Sequence, residues 1–274
     1  MNIVSNIKFL SVLTLTNIKE QFISREKAKN DPIVTNSINW YGHATTIINL
    51  SDKLIVTDPV CCNNLGFFKR IVEKPYDLPK MHYDYILLSH GHMDHLHFSS
   101  LLKLNKDATI IVPKGYKRLL SFLGFKKVVL LRNNNTYEDE FISISTKKAK
   151  HDGRRFYLGI DNESNSYIIK DKKTNKTIFF AGDTAYTDEF ANIKSDIAIM
   201  PVGCYKPDRF SYMHCSPEES YKMFCNMDSK IMIPVHYKTF KISLENFDET
   251  TNILTNINDE RIKMLNIGET LKLD

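Results

Sequence analysis

The run His90-Gly91-His92-Met93-Asp94-His95 packs four metal-binding side chains into six residues. It follows directly on the apolar segment 84–89, which reads as a buried strand. His90 and His92 are two apart, so in extended chain both imidazoles point the same way and can hold one ion. After the turn, Asp94 and His95 can reach a second. Imidazole nitrogen with carboxylate oxygen suits zinc, manganese or iron rather than calcium. Gly91 leaves room where the backbone must turn tightly. A solvated histidine-rich loop is the bland alternative, and a cluster abutting a buried strand argues against it.

Three further segments repeat that layout. Lys148-Ala149-Lys150-His151 follows a half-buried strand, residues 141–146. Ala181-Gly182-Asp183 follows the apolar strand Thr177–Phe180, and His236 closes the apolar strand 230–235. Alone, a buried histidine or aspartate is ordinarily a satisfied core residue. Beside the first cluster the balance reverses, because strand ends hold ligands rigidly and can converge on one rim.

Short apolar runs with polar turns predict strands over 38–41, Thr45–Leu50, Lys53–Thr57, Thr109–Val112, 127–131, 166–170 and 197–200. Ser51-Asp52 and residues 172–175 are the tight turns. Helices are expected over 115–123 and 217–227, the latter started by Ser216 and Pro217 with Glu218 and Glu219 in its first turn. Early strands have hairpin spacing and later ones alternate with helices, so two packed sheets with helices outside are expected. Residues 16–29 read as a helix with Ile18, Phe22 and Ile23 on one face. It can pack on the domain or lie on a lipid surface; packing is the simpler expectation. Residues 1–35 are thus expected as an N-terminal helical appendage and 36–274 as one domain.

Composition removes several classes. With 274 residues, 42% hydrophobic and 25% charged, the chain is an ordinary globular one. Mean hydropathy is -0.30 and no long apolar run is present, which argues against a spanning helix. The net charge of +5 fits an anionic substrate or membrane surface, and without a basic stripe no nucleic-acid partner is expected. Five cysteines with Cys61 beside Cys62 form no disulfide framework; reduced thiols and a cytoplasmic chain, with membrane contact through residues 1–30 as an open question, are expected.

The set of a His-x-His-x-Asp-His run, a distant histidine, Gly-Asp-Thr after an apolar strand and a late Pro-x-His resembles the metallo-β-lactamase superfamily. Trp40-Tyr41-Gly42-His43-Ala44-Thr45, Thr57-Asp58-Pro59, Pro201-Val202-Gly203-Cys204-Tyr205-Lys206-Pro207 and Met213-His214-Cys215-Ser216-Pro217 narrow it. With Gly153-Arg154-Arg155 after His151, they are similar to the N-acylphosphatidylethanolamine phospholipase D-like group. The resemblance implies an α+β fold, a four-layer αβ/βα sandwich, with two divalent ions, zinc foremost and manganese or iron as alternatives. It implies that His90, His92 and His151 hold one ion, that Asp94, His95 and His236 hold the other, and that Asp183 bridges them.

Two such cations sharing an oxygen lower the pKa of water toward neutrality, so no serine or cysteine nucleophile is required. Asp94 and Asp183 are then catalytic, and His214 is the candidate proton donor to the leaving group. Asp58 can fix the tautomer of a ligand histidine. His43, Tyr205 and Arg209 are candidate substrate contacts, Arg209 through phosphate. The expected function is a phosphodiesterase acting on a phospholipid-like substrate. The alternatives are a lactone or carboxylic ester hydrolase of the ascorbate-6-phosphate lactonase type, and a non-catalytic metal-binding sensor.

Overall fold

The computed structural model describes residues 3–155 and 163–273, with side chains from Asn6 onward. The chain opens with helix α1 (Ile3–Phe22), followed by three antiparallel strands, β1 (Ser37–Gly42), β2 (Thr45–Leu50) and β3 (Lys53–Thr57). Ser51 and Asp52 both take positive φ, 49° and 67°, the two-residue turn that matches the twist of a tight hairpin. A small hairpin, β4 (Asn64–Leu65) and β5 (Phe68–Lys69), precedes β6 (Tyr85–Leu87), which lies parallel to β3. Helix α2 (Phe98–Leu101), β7 (Thr109–Val112), α3 (Lys117–Phe122) and β8 (Lys127–Leu130) then extend the sheet in parallel.

The second half repeats this plan. Strands β9 (Thr136–Glu138), β10 (Ile142–Lys148), β11 (Asn165–Asp171) and β12 (Thr177–Phe180) pair antiparallel in succession. β13 (Lys194–Pro201) joins β12 in parallel, and helix α4 (Pro217–Asn226) carries the chain to β14 (Asp228–Val235), parallel to β13. Helix α5 (Phe247–Ile257) follows, and β15 (Thr270–Lys272) returns to the free edge of β1. The result is a seven-stranded sheet, β15-β1-β2-β3-β6-β7-β8, and a six-stranded sheet, β14-β13-β12-β11-β10-β9.

Alternating side chains on each strand supply two apolar faces. Ile38, Trp40, Ile48, Ile55 and Leu87 of the first sheet share one core with Ile144, Tyr167, Ile169 and Ile178 of the second. Their neighbours Ile47, Val56, Ile86 and Ile110 face the other way, onto Leu101, Leu120 and Phe125. Burying each such side chain stabilises the fold by about 1.5–3 kcal/mol. Tyr167 ties the sheets together by donating its hydroxyl to Leu88 O at 2.7 Å. This is the α+β sandwich expected from the sequence. Helix α4 starts as its residues predict: Ser216 caps Glu219 N, the Glu219 carboxylate accepts from Ser216 N, and Pro217 stands in the first turn.

The N-terminal helix corrects the sequence reading. It covers Ile3–Phe22 rather than 16–29, and it turns the opposite face inward. Leu13, Asn17 and Glu20 are buried, whereas Ile18 and Phe22 are exposed. The chain leaves the helix at Phe22 because the following segment is claimed by the sandwich: Glu26 N donates to Ile71 O and Lys29 N to Ile267 O. No helix of the described residues is long and apolar enough to cross a membrane.

Candidate metal centre

The pairing senses place β1, β3 and β6 in one direction in the first sheet, and β10, β12, β13 and β14 in one direction in the second. His43 follows β1, Asp58 follows β3, and His90 to His95 follow β6. His151 follows β10, Asp183 follows β12 and His236 follows β14. Every one of these side chains stands beyond the carboxyl end of a strand, at one rim of the sandwich. Two glycines allow the close approach. A Cβ on Gly182 would lie 2.7 Å from Ser89 Cβ, where the two halves touch beside Asp183. A Cβ on Gly91 would lie 1.8 Å from the Tyr116 hydroxyl oxygen, so no larger residue fits between His90 and His92.

Of five overlapping groups of ligand atoms among the described residues, two account for all the expected ligand histidines and Asp94. His90, His92 and His151 form one, and His43, Asp94, His95 and His236 the other, with the atoms of each group within 4.8 Å of one another. The carboxylate of Asp183 lies between them. Its Oδ2 is 3.0 Å from His95 Nε2, 3.1 Å from His236 Nε2 and 4.0 Å from His90 Nε2. His92 Nδ1 is 3.0 Å from His151 Nε2, and Asp94 Oδ2 is 3.6 Å from both His95 Nε2 and His236 Nε2.

These residues fit a pair of cations. His90 Nε2 and Asp183 Oδ1 are buried at the centre with no hydrogen-bond partner, an arrangement that costs free energy until something positive accepts their lone pairs. Outer nitrogens are held so that lone pairs face inward. His95 Nδ1 donates to Asp58 Oδ2 at 2.7 Å, and His151 Nδ1 donates to Met213 O at 2.8 Å. His90 Nδ1 donates to Ser89 Oγ at 2.9 Å, which donates on to Asp58 Oδ2 at 2.5 Å. Asp58 thus sets two histidines at once.

The electrostatics point the same way. Burial, then neighbouring imidazoles, push His90 and His151 well below the usual imidazole range. Burial also opposes a charge on His95, yet Asp183, Asp94 and Asp58 outweigh it and raise its pKa to about 10. His236 is raised in the same way, chiefly by Asp183 against burial. The carboxylates of Asp94 and Asp183 stay well below their ordinary values because the histidines overcome desolvation. Three acids therefore favour positive charge at this point, which protons or metal ions can supply.

A cavity of about 230 Å³ opens onto the centre. His92, Asp94, Asp183, His214 and Arg155 supply its polar wall, and Met93, Phe210, Met213 and Ile242 its apolar one. His214 Nδ1 stands 3.7 Å from Asp183 Oδ2, and burial lowers its pKa to about 4, so at pH 7 it is neutral and can donate only after taking up a proton.

Three expected substrate contacts lie elsewhere. His43 is 1% exposed, and its Nε2 meets Asp94 Oδ2 at 3.0 Å, inside the second ligand group. The Tyr205 hydroxyl sits 3.3 Å from Thr250 Oγ1 on α5. Arg209 lies over the Phe9 ring at 4.5 Å and donates to Asn6, both on α1. The reason is the turn at Cys204, whose φ is 64° and whose N–H, with that of Lys206, donates to the Glu245 carboxylate. Residues 205–209 are thereby drawn aside, and the chain returns to the cavity wall at Phe210, Met213 and His214. His97 bonds Ser100 Oγ at 2.7 Å and His82 is exposed, both outside the site.

The sequence names Arg155 only as part of the Gly153-Arg154-Arg155 motif and gives it no role at the site. That residue is the one lysine or arginine among the described residues of the cavity wall, lies over the Phe98 ring at 4.0 Å, and donates to Leu96 O at 2.6 Å. Its signal was the cation placed just after His151.

Residues 54–237 match the family model of the beta-lactamase superfamily domain. The chain belongs to the metallo-β-lactamase superfamily. It is 28% identical over 247 residues to a protein of Bacillus cytotoxicus named as a metal-dependent hydrolase, covering 86% of this chain and 99% of that one. It is 31% identical to the N-acyl-phosphatidylethanolamine-hydrolyzing phospholipase D of Saccharomyces cerevisiae mitochondria, over 77% of this chain and 49% of that one. Mycobacterial relatives are likewise spanned over only 60% of their length. Among solved structures, the isothiocyanate hydrolase from Delia radicum gut bacteria shares the fold with a TM-score of 0.71 at 18% identity, over 86% of this chain and 98% of that one.

Proposed function

We propose that this member of the superfamily is a binuclear metal-dependent hydrolase that cleaves a phosphodiester in a phospholipid-like substrate. The observation that carries the chemistry is the Asp183 carboxylate standing between two clusters of inward-facing imidazoles at the floor of an open cavity. His90, His92 and His151 would hold one ion, Asp94, His95 and His236 the other, with Asp183 shared. Zinc suits this donor set best, and manganese or iron would suit it as well. When bound, two such ions supply a Lewis-acid pair that makes water nucleophilic near neutral pH and offsets charge on the oxygens under attack.

The chain's own residues do the rest. Asp58 holds His95 in the tautomer that presents Nε2. His43 engages one oxygen of Asp94 and fixes its rotation. His214, on the cavity wall, relays a proton to the departing oxygen. Arg155 provides fixed positive charge for a phosphate oxygen, and Met93, Phe210 and Met213 offer an apolar surface for a chain attached to it. That pairing of one cation with an apolar wall favours a phosphodiester carrying an apolar group over a small neutral lactone. The named activity of the yeast relative agrees with this reading.

The test is a substrate panel on the zinc- or manganese-loaded protein: a chromogenic phosphodiester, N-acylphosphatidylethanolamine, a lactone and a β-lactam. Turnover of the first two is expected. Turnover of the lactone alone would replace the phosphodiesterase reading with the lactonase one, and metal uptake with no turnover of any kind would leave a sensor.

A further inference from the structure

Helix α1 is amphipathic in the reverse of the usual sense. Its inward face carries polar groups: Asn17 donates to Leu13 O and Lys241 O, each at 2.9 Å, and buried Glu20 pairs with Lys241. Its outward face carries Ile7, Leu15, Ile18 and Phe22, spaced eight, three and four residues apart with Ser11 between the first two. These form one stripe about 22 Å long. Exposure is high along it: 58% at Ile7, 60% at Leu15 and 87% at Phe22. Of 14 large apolar side chains exposed among the described residues, seven fall between Ile7 and Ile23. A stripe of that size on a folded surface needs an apolar partner.

Charge identifies the partner. Exposed Lys8 and Lys19 border the stripe, and between Asn6 and Arg25 the one acid, Glu20, is buried. A second copy packed by two-fold symmetry along this helix would bring lysine toward lysine, whereas an anionic lipid surface accepts both cations and the apolar stripe. The helix is also joined to the mouth of the cavity. Phe9 packs edge-on against Phe210, a cavity-wall residue, with ring centroids 5.4 Å apart. At its other end, Gln21 donates to Phe67 O, and the adjoining Gly66 borders the cavity-wall residue Met93. Phe67 and Met93 are themselves exposed, 44% and 45%.

We propose that α1 lies in the headgroup layer of an anionic bilayer and sets the cavity mouth against that surface. The docking rests on the helix alone; only its consequence, access to a substrate embedded in lipid, rests on the phosphodiesterase reading.

Co-sedimentation of the full metal-loaded chain with vesicles of phosphatidylcholine, with and without phosphatidylglycerol, tests it. Binding to the phosphatidylglycerol vesicles is expected. The Lys8→Glu, Lys19→Glu double variant should weaken it by about tenfold or more, and the Leu15→Ser, Ile18→Ser, Phe22→Ser triple variant should abolish it. Turnover of a soluble chromogenic phosphodiester, measured on the same samples, should stay at the wild-type level in both variants, so loss of docking and loss of chemistry are told apart. Three outcomes would overturn the proposal: no wild-type binding to either vesicle, binding unaltered by the triple variant, or a wild-type dimer in solution that the triple variant converts to a monomer.

Discussion

Replacing Asp58 by asparagine changes one atom's chemistry in a fully buried position and should unseat the second metal ion. The wild-type carboxylate accepts three hydrogen bonds: Ser89 N at 2.7 Å, Ser89 Oγ at 2.5 Å and His95 Nδ1 at 2.7 Å. Asparagine keeps one acceptor oxygen. If that oxygen stays with Ser89 N, the amide N–H faces His95 Nδ1 and requires a lone pair there. The imidazole proton then moves to Nε2, the atom 3.0 Å from Asp183 and 3.2 Å from His236 Nε2. If the amide flips instead, its N–H opposes the Ser89 N–H and leaves a buried donor unpaired, at a cost of about 1–3 kcal/mol. Either way the ligand atom is lost or the loop is strained. Partners of this kind are worth about 10- to 100-fold in metal affinity, or about 1.4–2.8 kcal/mol. Competition with a chromogenic chelator measures this directly, and counting metal ions after gel filtration shows whether one ion or two remain. Ser89→Ala, which keeps the His95 contact, should weaken binding less. Thermal unfolding of the apoproteins controls for the fold. An Asp58→Asn protein that holds two ions as tightly as wild type would refute the tautomer argument.

Asp183→Ala and His92→Ala should each reduce turnover below detection while the far-ultraviolet circular dichroism stays that of a folded sandwich; full activity in either would contradict the ligand assignment. Arg155→Gln should lower kcat/KM for a phosphodiester by about 10- to 100-fold without changing metal content, and a neutral lactone, if turned over at all, should be unaffected; equal losses on both substrates would assign Arg155 a structural role only. Acid stability should depend on Asp139. Its desolvation is outweighed by donors from Tyr85, Phe141, Ile142 and Tyr137, so its folded pKa is depressed. The stabilisation is present above the unfolded value and is lost as pH falls through the folded one. Tm of the wild type should therefore drop more steeply than that of Asp139→Asn as pH is lowered from neutrality through the carboxylate range, and parallel curves would refute the assignment.

Elements whose local pattern matches their surroundings were legible. Strands β2, β3, β7 and β12 stand at the expected residues because each is a short apolar run between turns. Helix α4 announced itself by Ser216, Pro217 and Glu219. Strand β15, three residues long, has no such pattern and exists through a distant partner, as Ser37 pairs with Lys272, whereas the equally short β9 is held by the next strand, as Glu138 pairs with Ser143. Helix α5 carries its signal in its ends rather than in an apolar run: Asn246 caps it, Asp248 and Glu249 occupy its first turn, and Asn258 ends it in the left-handed region. In α1 the ordinary rule fails, since it places periodic apolar residues on the inward face and the structure turns Ile18 and Phe22 outward.

The same contrast governs the site. A candidate ligand that closes an apolar run is visible in sequence because burial of the run fixes where its end must be, and the structure brings His90, Asp183 and His236, each placed by that pattern, to one cluster. Their convergence follows from strand direction, which sequence shows only indirectly. But position at the rim does not decide where a side chain points. Tyr205 and Arg209 follow β13 at that same rim, yet Glu245 and Glu249, some 40 residues further on, bind the backbone of Cys204 and the amine of Lys206 and hold residues 205–209 aside, while Phe210, Met213 and His214 just beyond them line the cavity. Arg155 reaches the cavity because its guanidinium is fixed to Leu96 O and Phe98, beside the His90 to His95 loop. Candidate metal ligands are thus legible one strand at a time, whereas the residues that line the cavity beside them depend on contacts between segments far apart in the chain.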